Sequence, residues 1–337
     1  MENRFRKILV RSTNWVGDAV MSLPALQALR EHNPQARISI LAPPWVAGLY
    51  GRESFCDELI PYEAPRGWKG LHQKRRLAAE LRARKFDCAV LLQNAFEAAA
   101  LARWAGIPVR VGYARDGRGW LLTHPITVPA AGEIPRHQRF YYLELLKRAK
   151  LIPGYELDSA IRLSVRGIAG HVIGVSPGAA YGGAKRWLPE RFAEAAVAIA
   201  RERGARVAVF GSQEESGICE IVRELVAAAG VTCQSFAGET SLGEFIELAS
   251  GCELFLTNDS GAMHVASALG VPTVAVFGAT DDEATGPTGE WSRVVRHPVE
   301  CSPCLRRECP IDHRCMTGVA ASRVVEAAHG LIGIERK

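Results

Sequence analysis

The chain reads as an α/β protein made of two doubly wound halves, and three observations carry that reading. Short apolar runs alternate with longer amphipathic stretches, which predicts parallel strands covered by helices on both faces. The strand, corner and helix that open the chain return at Val172, as though it began again. A chain of 337 residues also exceeds one ordinary core and suits two domains of about 150 residues each.

In the first half, Lys7–Val10 is the first strand, followed by the corner Arg11–Gly17 (RSTNWVG). A helix then runs from about Asp18 to Glu31, with Val20, Leu23, Leu26 and Leu29 on one face. Arg37–Leu41 is a second strand, ended by Pro43 and Pro44. Phe86–Leu92 is a third, preceded by the charged helix Lys74–Arg84. Val109–Val111 and Ile126–Val128 are further short strands, and Arg136–Lys150 is a helix ended by Pro153 and Gly154. This domain is expected over residues 1–160, with a hinge near Leu157–Gly170, where periodicity fades.

The second domain is expected over residues 170–320, with a closing helix in 321–337, from about Ala321 to Ile334. Val172–Ser176 is its first strand. The corner Pro177–Arg186 leads to a helix opening at Pro189, a favoured first-turn proline. Arg206–Phe210 is a strand, and Ser212 with Glu215, then Ser241 with Glu244, form capping boxes into the next two helices. The stretch Leu254–Gly278 (LFLTNDSGAMHVASALGVPTVAVFG) reads as strand, tight polar corner, short helix and strand. Its corner offers unpaired amides and the positive end of a helix dipole, a setting that suits phosphate. The same residue types also serve as plain helix caps.

Composition narrows the class. Hydrophobic content of 48% and charged content of 23% are ordinary for a soluble globular protein. No apolar run approaches the roughly 18 residues that span a bilayer. The start, MENRFRKILV, lacks a secretory core, so a cytosolic protein is expected. A net charge of +5 without a basic, aromatic-interleaved stripe argues against nucleic acid and permits acidic ligands or an anionic membrane surface.

With the two halves facing each other across a cleft, three corners converge at the strands' carboxyl ends. In the first, Thr13–Asp18, the carboxylate of Asp18 is either a helix cap or a general base for a hydroxyl nucleophile. The second, Ser176–Trp187 (SPGAAYGGAKRW), has small residues, Gly178 among them, that let a ligand approach the backbone. Lys185 and Arg186 there are a solvated pair or the cations for a diphosphate leaving group. A cation at a helix amino end opposes the dipole and asks for an anionic partner. The third corner holds Asn258, Asp259, Ser260 and Gly261, with His264 one turn on, packed or facing a ligand on the face of Ser260. Asp259 is awkward for phosphate and more suited to ordering the loop.

The segments WVGDAVMSLPALQALR, SPGAAYGGAKRWLPERF and FAGETSLGEFIELASGCELFLTNDSGAMHVASALGVPTVAVFG, in that order, resemble the bacterial ADP-heptose:lipopolysaccharide heptosyltransferases of glycosyltransferase family 9, with PGAAYGGAKRW and TNDSGAMHVA similar above all to heptosyltransferase II. The resemblance implies a GT-B fold of two Rossmann-like domains, acceptor-binding then nucleotide-sugar-binding. It also implies a cofactor-free, metal-independent, inverting transfer from ADP-L-glycero-D-manno-heptose to the first heptose of the lipid A–Kdo inner core. By motif, Asp18 matches the family's proposed base, and Lys185 the lysine on the donor phosphates. Asp259, Ser260, Gly261 and His264 match the loop that holds ADP.

An anionic glycolipid acceptor implies a basic rim on the first half and a peripheral position at the cytoplasmic face of the inner membrane. Candidates are Arg66, Lys69, Lys74, Arg75, Arg76, Arg115, Arg118 and Arg139, and above all Arg136 and His137 with Asn14 and Trp15. For the Lys74–Arg84 run an ordinary solvated helix face is the favoured reading. Four of nine cysteines cluster as Cys301, Cys304, Cys309 and Cys315. They suit structural zinc, an iron–sulfur cluster or free thiols, in a flap expected to lie apart from the transfer residues. Rival readings are another GT-B sugar-nucleotide enzyme, either a different transferase or a hydrolysing epimerase, and a non-catalytic nucleotide-binding module. A dehydrogenase is disfavoured, since neither half has G-x-G-x-x-G after its first strand.

Overall fold

The computed structural model describes residues 5–63, 67–159 and 161–333, with the backbone alone for 67–69. The chain divides into two compact units, Met1–Ser159 and Ala160–Lys337.

The first unit runs β1 (Lys7–Arg11), α1 (Val16–Met21), α2 (Leu23–His32), β2 (Arg37–Ala42), α3 (Pro44–Tyr50), β3 (Glu58–Pro61), α4 (Gly67–Arg84), β4 (Cys88–Leu91), α5 (Phe96–Trp104), β5 (Val109–Tyr113), β6 (His124–Ile126) and α6 (Gln138–Arg148). Its sheet has the order β3-β2-β1-β4-β5-β6, with every pair parallel. Strand β1 lies centrally, Ile8 facing Ile38 on one side and Cys88 on the other. Such strands are covered on both faces, which is why they read as unbroken apolar runs.

The second unit repeats the plan with β7 (Val172–Ser176), α7 (Pro189–Arg203), β8 (Arg206–Val209), α8 (Ser216–Ala228), β9 (Cys233–Ser235), α9 (Leu242–Ser250), β10 (Leu254–Asn258), α10 (Gly261–Ala268), β11 (Thr273–Phe277), α11 (Asp282–Thr285), β12 (Ser292–Arg296), α12 (Arg314–Thr317) and α13 (Ala321–Ile332). Its order, β9-β8-β7-β10-β11-β12, is that of the first sheet and of a doubly wound nucleotide fold. On α7, Phe192, Ala195, Ala196 and Ile199 form a buried stripe against Val175 and Val207. Truncating Ile199 to alanine there would cost about 2–5 kcal/mol.

Some elements differ from the sequence reading. The long first helix is two, because Pro24 has no N–H with which to continue the ladder across Ser22. Pro44 opens α3 instead of ending a strand, since a first-turn position needs no N–H. The helix expected from Arg136 starts at Gln138, and the ring of His137 caps it by accepting the Arg139 amide at 3.2 Å. Strands β3, β9 and β12 escaped notice. All three are sheet edges with partly exposed faces, and so lack a continuous apolar run.

Candidate active site

In the second unit the loops after β7 and β10 meet at the strands' carboxyl ends, tied by Asn258. Its Oδ1 accepts the Trp187 amide at 2.9 Å, while Nδ2 donates to the carbonyls of Pro177 (2.7 Å) and Gly178 (3.4 Å). Asn258 thus locks the loop after β7 to that after β10, and its amide faces protein. At Gly178 a Cβ would stand 2.2 Å from the Glu215 carboxylate carbon, so a larger residue would displace that side chain.

Lys185 lies in the turn Gly183–Lys185. Its ammonium is 2.6 Å from Asp259 Oδ2, with side-chain exposures of 13% and 4%. The Thr280 hydroxyl donates to the same oxygen, and the ammonium lies 4.7 Å from the centre of the Tyr181 ring. Lys185 thus pairs with the protein's own carboxylate, and Asp259 in turn links the loop after β10 to Thr280. Ser260 caps α10, its hydroxyl accepting the Met263 amide at 3.5 Å. The first amides of that helix have no partner within it. His264, expected to face a ligand or to pack, is buried at 5% exposure.

The cysteine segment does not lie apart, which corrects that expectation. Tyr181 Oη donates to the Leu305 carbonyl (2.7 Å), Ala184 N to the Arg307 carbonyl (2.9 Å), and Gly183 N to Glu308 Oε1 (2.9 Å). The segment is bonded directly to the loop carrying Lys185, because the small residues of that loop leave its backbone open. Cys301, Cys304, Cys309, Cys315 and His313 line one small cavity. Burial, then the neighbouring Cys309, Cys301 and Cys304, push the Cys315 thiol up. Among the described residues no three such donors are grouped to hold a metal, and all nine cysteines are free. The geometry therefore lends no support to zinc or an iron–sulfur cluster.

In the first unit Asp18 is the third residue of α1, whose cap is Trp15, so the helix-cap role is not the one it plays. Asp18 Oδ1 accepts the hydroxyl of Tyr142, on α6, at 3.1 Å. Burial, then the Asp18 charge, push the Tyr142 phenol well above its ordinary value, so that it stays a donor. Nearby, buried Arg11 donates to Asn14 Oδ1 at 3.0 Å. Trp15 is 54% exposed, and Arg136 is exposed beside the capping His137. Arg118 is no rim cation: it is fully buried, donating to the carbonyls of Tyr113 and Gln93 and to Asn94. Burial lowers its pKa to about 10. Arg139 donates to the Leu157 carbonyl. Arg66 and the side chain of Lys69 lie outside the described residues. Tyr142, Tyr181 and Thr280 were missed. The partners of Tyr142 and Thr280 lie in other elements or loops, whereas Tyr181 precedes Lys185 in the same corner, where i, i+4 spacing could have signalled it.

Comparison with known proteins places this geometry. The solved structure of the Escherichia coli ADP-heptose LPS heptosyltransferase II matches with a TM-score of 0.81 at 30% identity, over 97% of this chain and 98% of that one. A family 9 glycosyl transferase from Veillonella parvula shares the fold, with a TM-score of 0.82 at 22% identity over 98% of both chains. Two units with sheets of this topology make the GT-B fold, shared with these glycosyltransferases. The profile of glycosyltransferase family 9 (heptosyltransferase) matches residues 74–314. The lipopolysaccharide heptosyltransferase 2 of Salmonella typhimurium is 32% identical over 98% of this chain and 99% of its own. This chain belongs to glycosyltransferase family 9, the heptosyltransferases.

Proposed function

We propose that the enzyme transfers L-glycero-D-manno-heptose, with inversion, from ADP-heptose to the first heptose of the lipid A–Kdo inner core of lipopolysaccharide, working at the cytoplasmic face of the inner membrane. The relatives' names supply heptose, ADP and lipopolysaccharide. The observation that carries the chemistry is the buried Lys185–Asp259 pair beside the amino end of α10.

In this reading Gly178, Lys185 and the helix-end amides of Ser260 and Gly261 hold the donor diphosphate, while Asn258, Asp259 and His264 fix the loop around it. Asp18 takes the proton from the acceptor hydroxyl as its oxygen attacks the anomeric carbon. The bond from that carbon to the diphosphate breaks opposite the new one, and its electron pair leaves with ADP. Lys185 and the amides stabilise the charge growing there, work that a divalent cation does in other transferases. Asn14, Trp15, Arg136 and His137 receive the acceptor.

Incubation of the purified protein with ADP-heptose and cores bearing no heptose or one heptose, read by mass spectrometry for the added sugar and by NMR for the configuration of the new linkage, tests this. A gain of one heptose on the one-heptose core alone, with the new linkage inverted, is the expected outcome. Turnover with UDP-sugars but not with ADP-heptose would replace this reading by another GT-B activity.

A further inference from the structure

Four aromatic side chains stand in solvent along one rim of the first unit. Trp15 (54% exposed) follows β1, Trp45 (56%) follows β2, Phe96 (48%) follows β4 and Trp120 (72%) follows β5. In the sheet these strands are neighbours, in the order β2-β1-β4-β5. Each of four adjacent strands therefore carries one exposed aromatic in the segment after its carboxyl end. With strands about 4.8 Å apart, the row extends roughly 15 Å. It is continuous underneath. Trp45 Nε1 donates to the Asn14 carbonyl at 2.9 Å. Arg11 bonds Asn14 and lies over Tyr62, whose hydroxyl donates to Glu97. Phe96, next to Glu97, stands 6.1 Å from Trp120.

Charge accompanies the row. The first unit holds 24 lysines and arginines against 15 acidic residues, and the second 17 against 21, so their formal charges are +9 and −4. On α4, Lys74 pairs with Glu97 at 2.8 Å, beside Phe96; Arg75 is exposed, and the exposed Arg76 pairs with Glu80. Single exposed aromatics are commonplace, but a row of them is not. Tryptophan, apolar in body and polar at its N–H, belongs at the headgroup level of a bilayer. Clustered cations are drawn to the negative surface of a leaflet. One ring beyond the end of each of four adjacent strands fits a plane better than a single sugar.

We propose that this rim docks the first unit onto a membrane leaflet rich in anionic phospholipid. The inference rests on the reading that the acceptor is a glycolipid, and it names the residues that bring the enzyme to it. The test uses the full chain and vesicles of phosphatidylglycerol and phosphatidylethanolamine containing neither donor nor acceptor, so that its outcome does not depend on transfer. Wild-type protein sediments with these vesicles, dissociates in about 0.5 M salt, and has its tryptophan fluorescence quenched by brominated acyl chains. Combining Trp45→Ser, Phe96→Ser and Trp120→Ser weakens partitioning about tenfold or more, with an unchanged circular dichroism spectrum. Trp120→Ser alone, at the most exposed position, gives a smaller loss and serves if the triple variant does not fold. Transfer to a soluble, deacylated acceptor is unchanged in these variants. Absence of wild-type binding, or equal binding by variant and wild type, overturns the proposal. So does a variant that keeps vesicle binding but loses turnover of the soluble acceptor, which would assign the row to glycan stacking.

Discussion

At the scale of single residues, the carboxylate of Asp18 and the phenol of Tyr142 make the sharpest test. Asp18→Asn should lower turnover by about 10²–10⁴-fold, the contribution of a general base, while ADP binding measured by calorimetry stays unchanged. Tyr142→Phe removes a hydrogen bond that favours the ionised carboxylate. The acidic limb of its kcat/KM profile should therefore move to higher pH, a shift that a merely structural tyrosine would not produce. On the donor side, Asp259 already neutralises Lys185 at 2.6 Å. An anion that draws the lysine away must offer more than one carboxylate does. ADP should raise the melting temperature where chloride, acetate and inorganic phosphate at equal concentration do not. Lys185→Met should remove that effect and weaken ADP by about 10–100-fold, the worth of a charged hydrogen bond.

At the scale of elements, α6 and the segment after it are joined by Glu144. Its carboxylate takes Arg148 Nε at 2.8 Å and the Tyr155 hydroxyl at 2.7 Å, with Lys147 Nζ at 3.5 Å. Burial alone would raise this carboxyl, but Arg148, Tyr155 and Lys147 outweigh it and hold it below its ordinary value. Its stabilisation is thus fully present above the unfolded pKa, about 4.3, and fades as pH falls through the lower folded value. Glu144→Gln should cost about 2 kcal/mol near neutrality and flatten that acid dependence in denaturant titrations. In the loop after β7, a Cβ on Gly182 would stand 2.3 Å from the Arg307 carbonyl, at φ +152. Gly182→Ala should accordingly loosen the cysteine segment, read as faster amide exchange at Gly183 and Ala184. The central strands and both capping boxes were legible in the sequence because their patterns are local. The polar corners were legible too, since glycine and cap residues mark them. The edge strands β3, β9 and β12 were not, and neither was the clasp of residues 305–308 on the lysine loop, because that contact joins segments more than a hundred residues apart, mostly through backbone carbonyls of any residue type. Arg118 misled for a related reason: a sequence shows a cation but not the three carbonyls that bury it.

At the scale of the whole molecule, one strand order occurs twice, and the restart of the pattern at Val172 made the duplication readable. Charge, by contrast, is not duplicated: the two units carry opposite signs. The basic unit is attracted to a negatively charged sheet and the acidic unit repelled by it before any contact forms. Capture by an anionic leaflet should therefore speed up steeply as ionic strength falls, while escape from it changes little. Stopped-flow mixing with vesicles would read the two rates separately. On the proposed reading, in which the acceptor is held in a membrane, faster capture shortens the search as effectively as a tighter grip would.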